Sequence, residues 1–324
     1  MSEALAGIRV LDFGDRSSAL AGRILADLGA EVVLVEPAEG GSIRHLAPFL
    51  DDEPGAERSF AHLYYNASKR SVVLGESDPG FDELVTSADA IIDNGTLDAD
   101  RIRTLNPSVV LCSVTPFGLG AEWRDRKAND LVAGAAGGLV WLSGEARGRP
   151  VQGGSDPSYA KAGLTTASAV SIALQRRAAT GEGAHIDVSL QEATLMAAMQ
   201  TATPTQWTWH NRIPRRPGLS NALRCADGGY VGLLVRPDRF DQFLTWLDHV
   251  GIEHSMTSAD WEWSRLEAPR ENNPVAAATL ALAAALSRDE FAVGALEIAD
   301  IVCLPVLGFA DLERTEQYLV NDQF

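Results

Sequence analysis

Cysteine and histidine are scarce in this sequence, and neither is arranged to bind a metal. The three cysteines, Cys112, Cys225 and Cys303, lie far apart and form no CxxC pair. This spacing argues against a disulfide framework and against a zinc site built from cysteine pairs. The six histidines show no HxxxH or HExxH spacing, which is the spacing that places two imidazoles on one helix face. We therefore expect no metal site.

Positive charge is also in short supply. The chain has 27 Lys and Arg against 44 Asp and Glu, a formal net charge of -17. Nucleic acids and anionic membranes attract proteins with an excess of basic residues, so we expect neither as a partner. A small anionic ligand is compatible with this charge, because a local cationic cleft can lie on an acidic protein.

Long apolar stretches and a targeting segment are missing as well. The longest apolar runs cover residues 131–142 and 275–286, too short for a helix that crosses a bilayer core of about 30 Å. The first residues lack the basic start and the apolar stretch of a secretory signal peptide. We expect a soluble, cytoplasmic protein.

Short apolar runs alternate with helical patterns through the N-terminal part of the chain. This alternation is typical of a parallel sheet built from βαβ units, in which a ligand lies beyond the carboxyl ends of the strands. The first such loop lacks GxGxxG, so we do not expect NAD, although Glu36 resembles the ribose-binding acid of NAD enzymes. The predicted strands cover residues 8–13, 31–35, 71–74, 88–92, 109–114 and 185–190.

Two further stretches complete the predicted α/β architecture. Residues 160–174 are almost all apolar or small, which predicts a helix buried on most sides. It starts at Asp156-Pro157, where the carboxylate of Asp156 is placed to cap the first amides. Farther on, Asp227-Gly228-Gly229 predicts a hairpin turn, and Ser287 opens a capping box. We predict a large domain over residues 1–204 and a smaller α+β domain over 205–324.

Six separated segments resemble one family closely. They read GIRVLDFG…LADLGAEVVLVEP, NxxKRSVVL, DAIIDNG, LNPSVVLCSVTPFG, NDLVAGAAGGL and AGLTTASAVSIALQRRAATGEGAHIDVSLQEA. They are similar to the class III CoA-transferase (CaiB/BaiF) family, which includes formyl-CoA and carnitine CoA-transferases and α-methylacyl-CoA racemases. The resemblance implies a Rossmann-like large domain, a smaller domain and an interlocked dimer. It also implies a C-terminal tail, returning to the large domain, that this sequence does not contain.

The resemblance also implies a chemistry and a set of binding residues. In the family, an aspartate attacks an acyl-CoA thioester and carries first the acyl group and then CoA, while backbone amides stabilise the oxyanion. The substrates are an acyl-CoA and a carboxylic acid. Lys69 with Arg70 also fits an ordinary solvated pair. The family's CoA contacts match Ser17, Ser18, Arg44, Ala67, Ser68, Lys69, Asn94, Gly95, Lys127 and Asp130.

The catalytic position departs from the family. The family aspartate lies four residues before the glycine that aligns with Gly163, and this chain has Tyr159 there. A phenol, with a pKa of about 10, is a weak nucleophile. Asp156 is the nearby carboxylate, as a candidate nucleophile or as a helix cap. The racemase route also loses its acid–base groups, because Asn129 stands where that enzyme has its histidine.

Three interpretations remain open from the sequence. The first is a CoA-transferase acting on acyl-CoA thioesters. The second is a non-catalytic, CoA-binding subunit of a catalytic homologue, since some family members work as two unlike halves with one aspartate. The third and least favoured is a racemase. In each case we expect a homodimer or a heterodimer with a homologous subunit.

Overall fold

Six parallel strands form the main sheet of the computed structural model, which describes residues 4–120, 122–143, 149–199, 222–264 and 272–321. The strand order is β3-β2-β1-β4-β5-β6, the order of doubly wound Rossmann sheets. Each predicted strand is confirmed within about two residues, the usual uncertainty of strand ends. The strands are β1 Arg9–Asp12, β2 Glu31–Glu36, β3 Arg70–Val73, β4 Ala90–Asp93, β5 Val110–Thr115 and β6 Ala184–Ser189.

Helices cover both faces of this sheet. β4 and β5 are buried at every position, as expected for parallel strands packed on both sides. One core lies under the first, fifth, seventh and eighth helices, and the other lies under the third and fourth. The helices are α1 Ala19–Asp27, α2 Phe60–Tyr65, α3 Phe81–Thr86, α4 Ala99–Leu105, α5 Asp130–Ala136, α6 Leu139–Leu142, α7 Pro157–Thr180 and α8 Leu190–Met199.

The long helix α7 packs closely against α1. A Cβ on Gly163 would lie 2.8 Å from the Leu20 Cβ, so only glycine permits this approach. The expectation that α7 is buried on most sides was wrong for one stripe, where Leu164 is 56% and Ile172 is 71% exposed. Small residues allow close packing on one side of a helix, but they do not show whether the opposite side is covered.

A second unit holds residues 222–264 and 272–321. Its three-stranded antiparallel sheet has the order β7-β8-β9, and its core contains Trp246 against Phe291 with ring centroids 4.9 Å apart. The predicted hairpin turn and the Ser287 capping box are confirmed. The elements are β7 Ala222–Arg224, β8 Tyr230–Leu234, α9 Phe240–Val250, α10 Pro274–Ala285, α11 Arg288–Glu297, β9 Val302–Pro305, α12 Phe309–Leu312 and α13 Glu316–Val320.

The sequence analysis also predicted where the two domains meet and that no segment crosses a membrane. The predicted domain boundary between 204 and 205 lies outside the described residues. Within them, no helix combines the length and the apolar character needed to cross a membrane.

Candidate functional site

The strand order reverses between β1 and β4, which places a crevice beyond the carboxyl ends of these strands. β1 ends at Asp12 and β4 at Asp93, both almost fully buried. In the loop after β1, the Ser17 hydroxyl donates a 2.6 Å hydrogen bond to Asp15 Oδ1, and the Ser17 amide donates to the same oxygen. Ser18 is fully buried. The two predicted CoA-binding serines therefore lie in this loop, where Ser17 also helps to shape it.

Lys69 reaches the same region from the residue just before β3. Its side chain is 1% exposed, and its ammonium donates to Asp12 Oδ2 at 2.8 Å, Asn66 Oδ1 at 2.8 Å and the Ala19 carbonyl at 2.9 Å. An ammonium has three protons to donate, and all three have internal partners. Contact between Lys69 and a CoA phosphate stays a prediction. Its neighbour Arg70 has an 80% exposed side chain.

Arg44 forms a buried ion pair with Glu36 at the end of β2. Arg44 Nε and Nη2 donate to the two carboxylate oxygens of Glu36 at 2.8 and 2.6 Å, and Arg44 also contacts Glu57. Glu36 further accepts hydrogen bonds from the Ser71 hydroxyl and the Gly41 amide. Burial by itself would raise the pKa of Glu36, but these hydrogen bonds, led by Arg44, lower it to about 2. The acid that resembled a ribose ligand is therefore an internal partner of Arg44.

A cleft of about 280 Å³ is lined by the cations of these two ion pairs, Arg44 and Lys69, among other residues. It brings together three of the predicted CoA contacts, Arg44, Ala67 and Lys69. The next predicted contact, Ser68, is exposed and has a φ of +65°. The cleft wall contains three cations, Arg44, Lys69 and Arg70, so the part of the wall near them is suited to an anion. The other lining residues of the cleft are Leu34, Glu57, His62, Leu63, Asn66 and Ser71.

The start of α7 is capped by a side chain from another helix. Asp130, at the start of α5, is 4% exposed, and its Oδ1 accepts the amides of Ser158 and Tyr159 at 2.7 and 2.9 Å. Its Oδ2 accepts from Gln152 at 3.1 Å. The prediction that the Asp156 carboxylate caps α7 was wrong, since that side chain makes no capping hydrogen bond. A carboxylate already fixed on α5 satisfies the two amides, so Asp156 is left available for another partner.

That partner is Arg16, in the loop after β1. The two side chains form an ion pair and are 39% and 20% exposed, respectively. Sequence reasoning missed Arg16, although a cation in the loop after the first strand was the available signal. The pair places a carboxylate and a guanidinium at the crevice, next to the start of α7.

Tyr159, which the sequence analysis matched to the family's catalytic aspartate, is half-buried and packs against the core of the sheet. Burial raises its pKa, and the charge of Asp15 raises it further. The phenol is therefore neutral near pH 7 and is less able to act as a nucleophile than a free phenol.

The remaining predicted residues lie on separate loops. Asn129, which the sequence analysis matched to the racemase histidine, caps α5 by accepting the Val132 amide at 3.1 Å. Lys127 is exposed. Asn94 is half-buried, and Gly95 has a φ of +79°, directly after β4. Within the described ranges, no group of three or more histidine, cysteine, aspartate or glutamate side chains is arranged to hold a metal ion.

Comparison with known proteins gives consistent matches. A family model described as CoA-transferase family III matches residues 5–324. The chain is 29% identical over 283 residues to the succinyl-CoA:(R)-benzylsuccinate CoA-transferase subunit BbsE of Thauera aromatica, covering 81% of this chain and 68% of that protein. It is 31% identical over 271 residues to formyl-CoA:oxalate CoA-transferase of Streptomyces avermitilis, covering 73% and 65%.

The chain thus spans about two thirds of the length of these curated relatives, from 65% to 68%. Among solved structures, a CAIB/BAIF family protein from Brucella suis matches with a TM-score of 0.80 and 26% identity, over 97% of this chain and 87% of that chain. This match confirms the predicted fold.

Proposed function

Because the chain belongs to CoA-transferase family III, we propose that it binds acyl-CoA thioesters and takes part in the transfer of CoA between carboxylic acids. The observation that carries the proposal is the ion pair of Arg16 with Asp156. It brings a carboxylate to the crevice at the reversal of the strand order, where doubly wound sheets bind their ligands.

The cleft beside β2 and β3 supports binding of the nucleotide end of CoA. Phosphates are bound by cations and by N–H donors, and the exposed Arg70 guanidinium lies on the cleft wall. Arg44 and Lys69 have charges already balanced by Glu36 and Asp12. In this proposal they keep the cleft in shape. Arg70 shares the carboxylate of Glu31 with Arg9, so these two arginines keep one net positive charge, and the attraction for phosphate comes mainly from Arg70.

Transfer between acids requires a nucleophile that can carry a group, and in this chain the carboxylate of Asp156 is the candidate. Tyr159 is disfavoured because burial and a neighbouring carboxylate keep its phenol neutral. The test is mass spectrometry of the chain after incubation with acetyl-CoA, followed by hydroxylamine, which converts an activated carboxylate to a hydroxamate. We expect the modification at Asp156 in the wild type and in Tyr159→Phe, and none in Asp156→Asn. Modification elsewhere, or none in the wild type, would refute Asp156 as the nucleophile.

A second function is favoured by Tyr159 itself. A chain with a neutral phenol at the family's catalytic position fits a CoA-binding subunit that pairs with a catalytic homologue, or with a second copy of itself in a homodimer. One relative is itself named as a subunit. In this case the chain alone binds CoA by calorimetry but transfers none, and transfer appears on addition of a homologous chain with aspartate at this position. Tyr159→Asp tests the same point within one chain, because it restores the missing carboxylate.

A further inference from the structure

The ion pair of Arg16 with Asp156 leaves one N–H donor of the guanidinium without an acceptor. Arg16 Nη2 contacts Asp156 Oδ2 as an ion pair, while that oxygen and the Nε of Arg16 are both buried without a hydrogen-bond partner among the described residues. Guanidinium groups bind carboxylates best through two parallel N–H donors. The internal carboxylate therefore occupies one donor edge of Arg16 and leaves a second donor without an acceptor.

The backbone that carries Asp156 is held in an unusual conformation. Ser155 and Asp156 have φ angles of +63° and +51°, and left-handed residues other than glycine are uncommon, above all two in succession. The Asp156 side chain does not stabilise the start of α7, because Asp130 supplies that cap. The contact with Arg16 is thus what engages the Asp156 carboxylate, and α7 keeps its cap when that contact is exchanged.

The other charged groups near this pair have partners of their own. Asp15 accepts the hydroxyl and the amide of Ser17, and Asp130 accepts two helix amides. Tyr65 and Tyr159 complete the surroundings as neutral phenols, since burial, followed by the charges of nearby aspartates, raises the pKa of each. Of the groups named here, Arg16 is the cation, and its partner Asp156 can be exchanged for another carboxylate.

We infer that Arg16 is the anchor for a substrate carboxylate, which displaces Asp156 and binds Arg16 through Nε and Nη2. The inference rests on the proposed function for the identity of the substrate. Without substrate, the Asp156 carboxylate occupies the place on Arg16 that the substrate carboxylate takes when it binds. Binding of the acid then releases Asp156 from its ion pair at the moment when a second carboxylate is present in the crevice.

The test is calorimetric titration of the full chain with succinate and, separately, with CoA. Arg16→Gln removes the anchor, and Asp156→Asn removes the competing carboxylate while keeping the size of the side chain and its tolerance of a left-handed backbone. Arg176→Gln is the matched control, because Arg176 also pairs with an acid, Glu182, but at the opposite end of α7.

We expect Arg16→Gln to weaken succinate binding at least tenfold. Asp156→Asn strengthens it several-fold, because a competing internal carboxylate lowers the apparent affinity of the wild type. Arg176→Gln changes it less than twofold. Succinate binding that is unchanged in Arg16→Gln, weaker in Asp156→Asn, or absent from both the wild type and Asp156→Asn overturns the inference. Circular dichroism of each variant confirms that it is folded.

Two further arms identify the source of the carboxylate. If Arg16 holds the remote carboxylate of an acyl group, Arg16→Gln weakens succinyl-CoA binding at least tenfold and acetyl-CoA binding less than twofold. If Arg16 holds the free acid, both thioesters keep their affinity and succinate alone loses it. The CoA titration separates the two proposals: a chain that binds succinate through Arg16 but never CoA refutes the proposed function and leaves the anchor standing.

Discussion

The buried ion pair between Glu36 and Arg44 offers a direct test of how the cleft beside β2 and β3 is held together. Replacing Glu36 by glutamine keeps the shape of the side chain but removes its charge. Glutamine still accepts the Gly41 amide, yet its own NH₂ group then faces the donors of Arg44. In this variant the Arg44 side chain, which is 9% exposed, keeps one acidic partner, the exposed Glu57.

The magnitude follows from the pKa of Glu36, which is lowered from 4.5 to about 2. One pKa unit corresponds to about 1.4 kcal/mol, so the charged form of Glu36 stabilises the fold by about 3 kcal/mol. Because the folded pKa is the lower one, this stabilisation is complete above about pH 4.5 and is lost as the pH falls towards 2. Less than half of it, about 1.4 kcal/mol, is left at pH 3.

The assay is urea unfolding of the wild type and Glu36→Gln at pH 7 and pH 3. Glu31→Gln is the matched control, since Glu31 lies on the same strand and pairs with Arg9 and Arg70 at the surface. Surface pairs contribute about 0–1 kcal/mol, so we expect a loss of about 0.5 kcal/mol for the control and about 3 kcal/mol for Glu36→Gln at pH 7. Equal losses in the two variants, or a Glu36→Gln deficit that is undiminished at pH 3, would refute the reasoning.

Three further predictions concern single buried groups. Lys69→Met leaves Asp12 buried without its cation and costs about 3–5 kcal/mol in urea unfolding, whereas Arg70→Met, at the exposed neighbour, costs about 0.5 kcal/mol or less; similar losses would contradict the internal role of Lys69. Asp130→Ala removes the cap of α7 and lowers the free energy of unfolding by about 1–2 kcal/mol, and no loss would mean the amides have other partners. Burial raises the pKa of Cys112 to about 12, so at pH 8 iodoacetamide should modify it only after unfolding in urea; rapid labelling of the native chain would contradict this.

Much of the fold could be predicted because burial on both sides of a parallel strand is visible locally. β4 and β5 are apolar runs in the sequence and buried strands in the structure. The hairpin of the second unit depends on turn residues that are adjacent in the chain. The face of α7 that remains exposed could not be predicted, because small apolar residues are equally suited to a close helix contact and to an open surface.

The partners of the charged residues could not be read from the sequence. Lys69 was matched to a CoA contact, and nothing in its local sequence shows that it is also bonded to Asp12, which lies 57 residues away. Asp156 was assigned the cap that Asp130 supplies from 28 residues before Ser158. A carboxylate beside a helix start is compatible with capping, with an ion pair or with catalysis. Which of these roles it has depends on whether another group of the fold already accepts the helix amides.

The sequence by itself determined the order of strands and helices, the family, and the presence of tyrosine at position 159, which the resemblance matches to a family aspartate. Each of these depends on residue types and their spacing along the chain. Only the tertiary structure decided that Arg44 and Lys69 are balanced internally, that Asp130 caps α7, and that Arg16 meets Asp156 at the crevice. Those pairings depend on three-dimensional proximity, since a charge is stabilised by whichever opposite charge or dipole the fold brings within hydrogen-bond distance, however far apart the two lie in the chain.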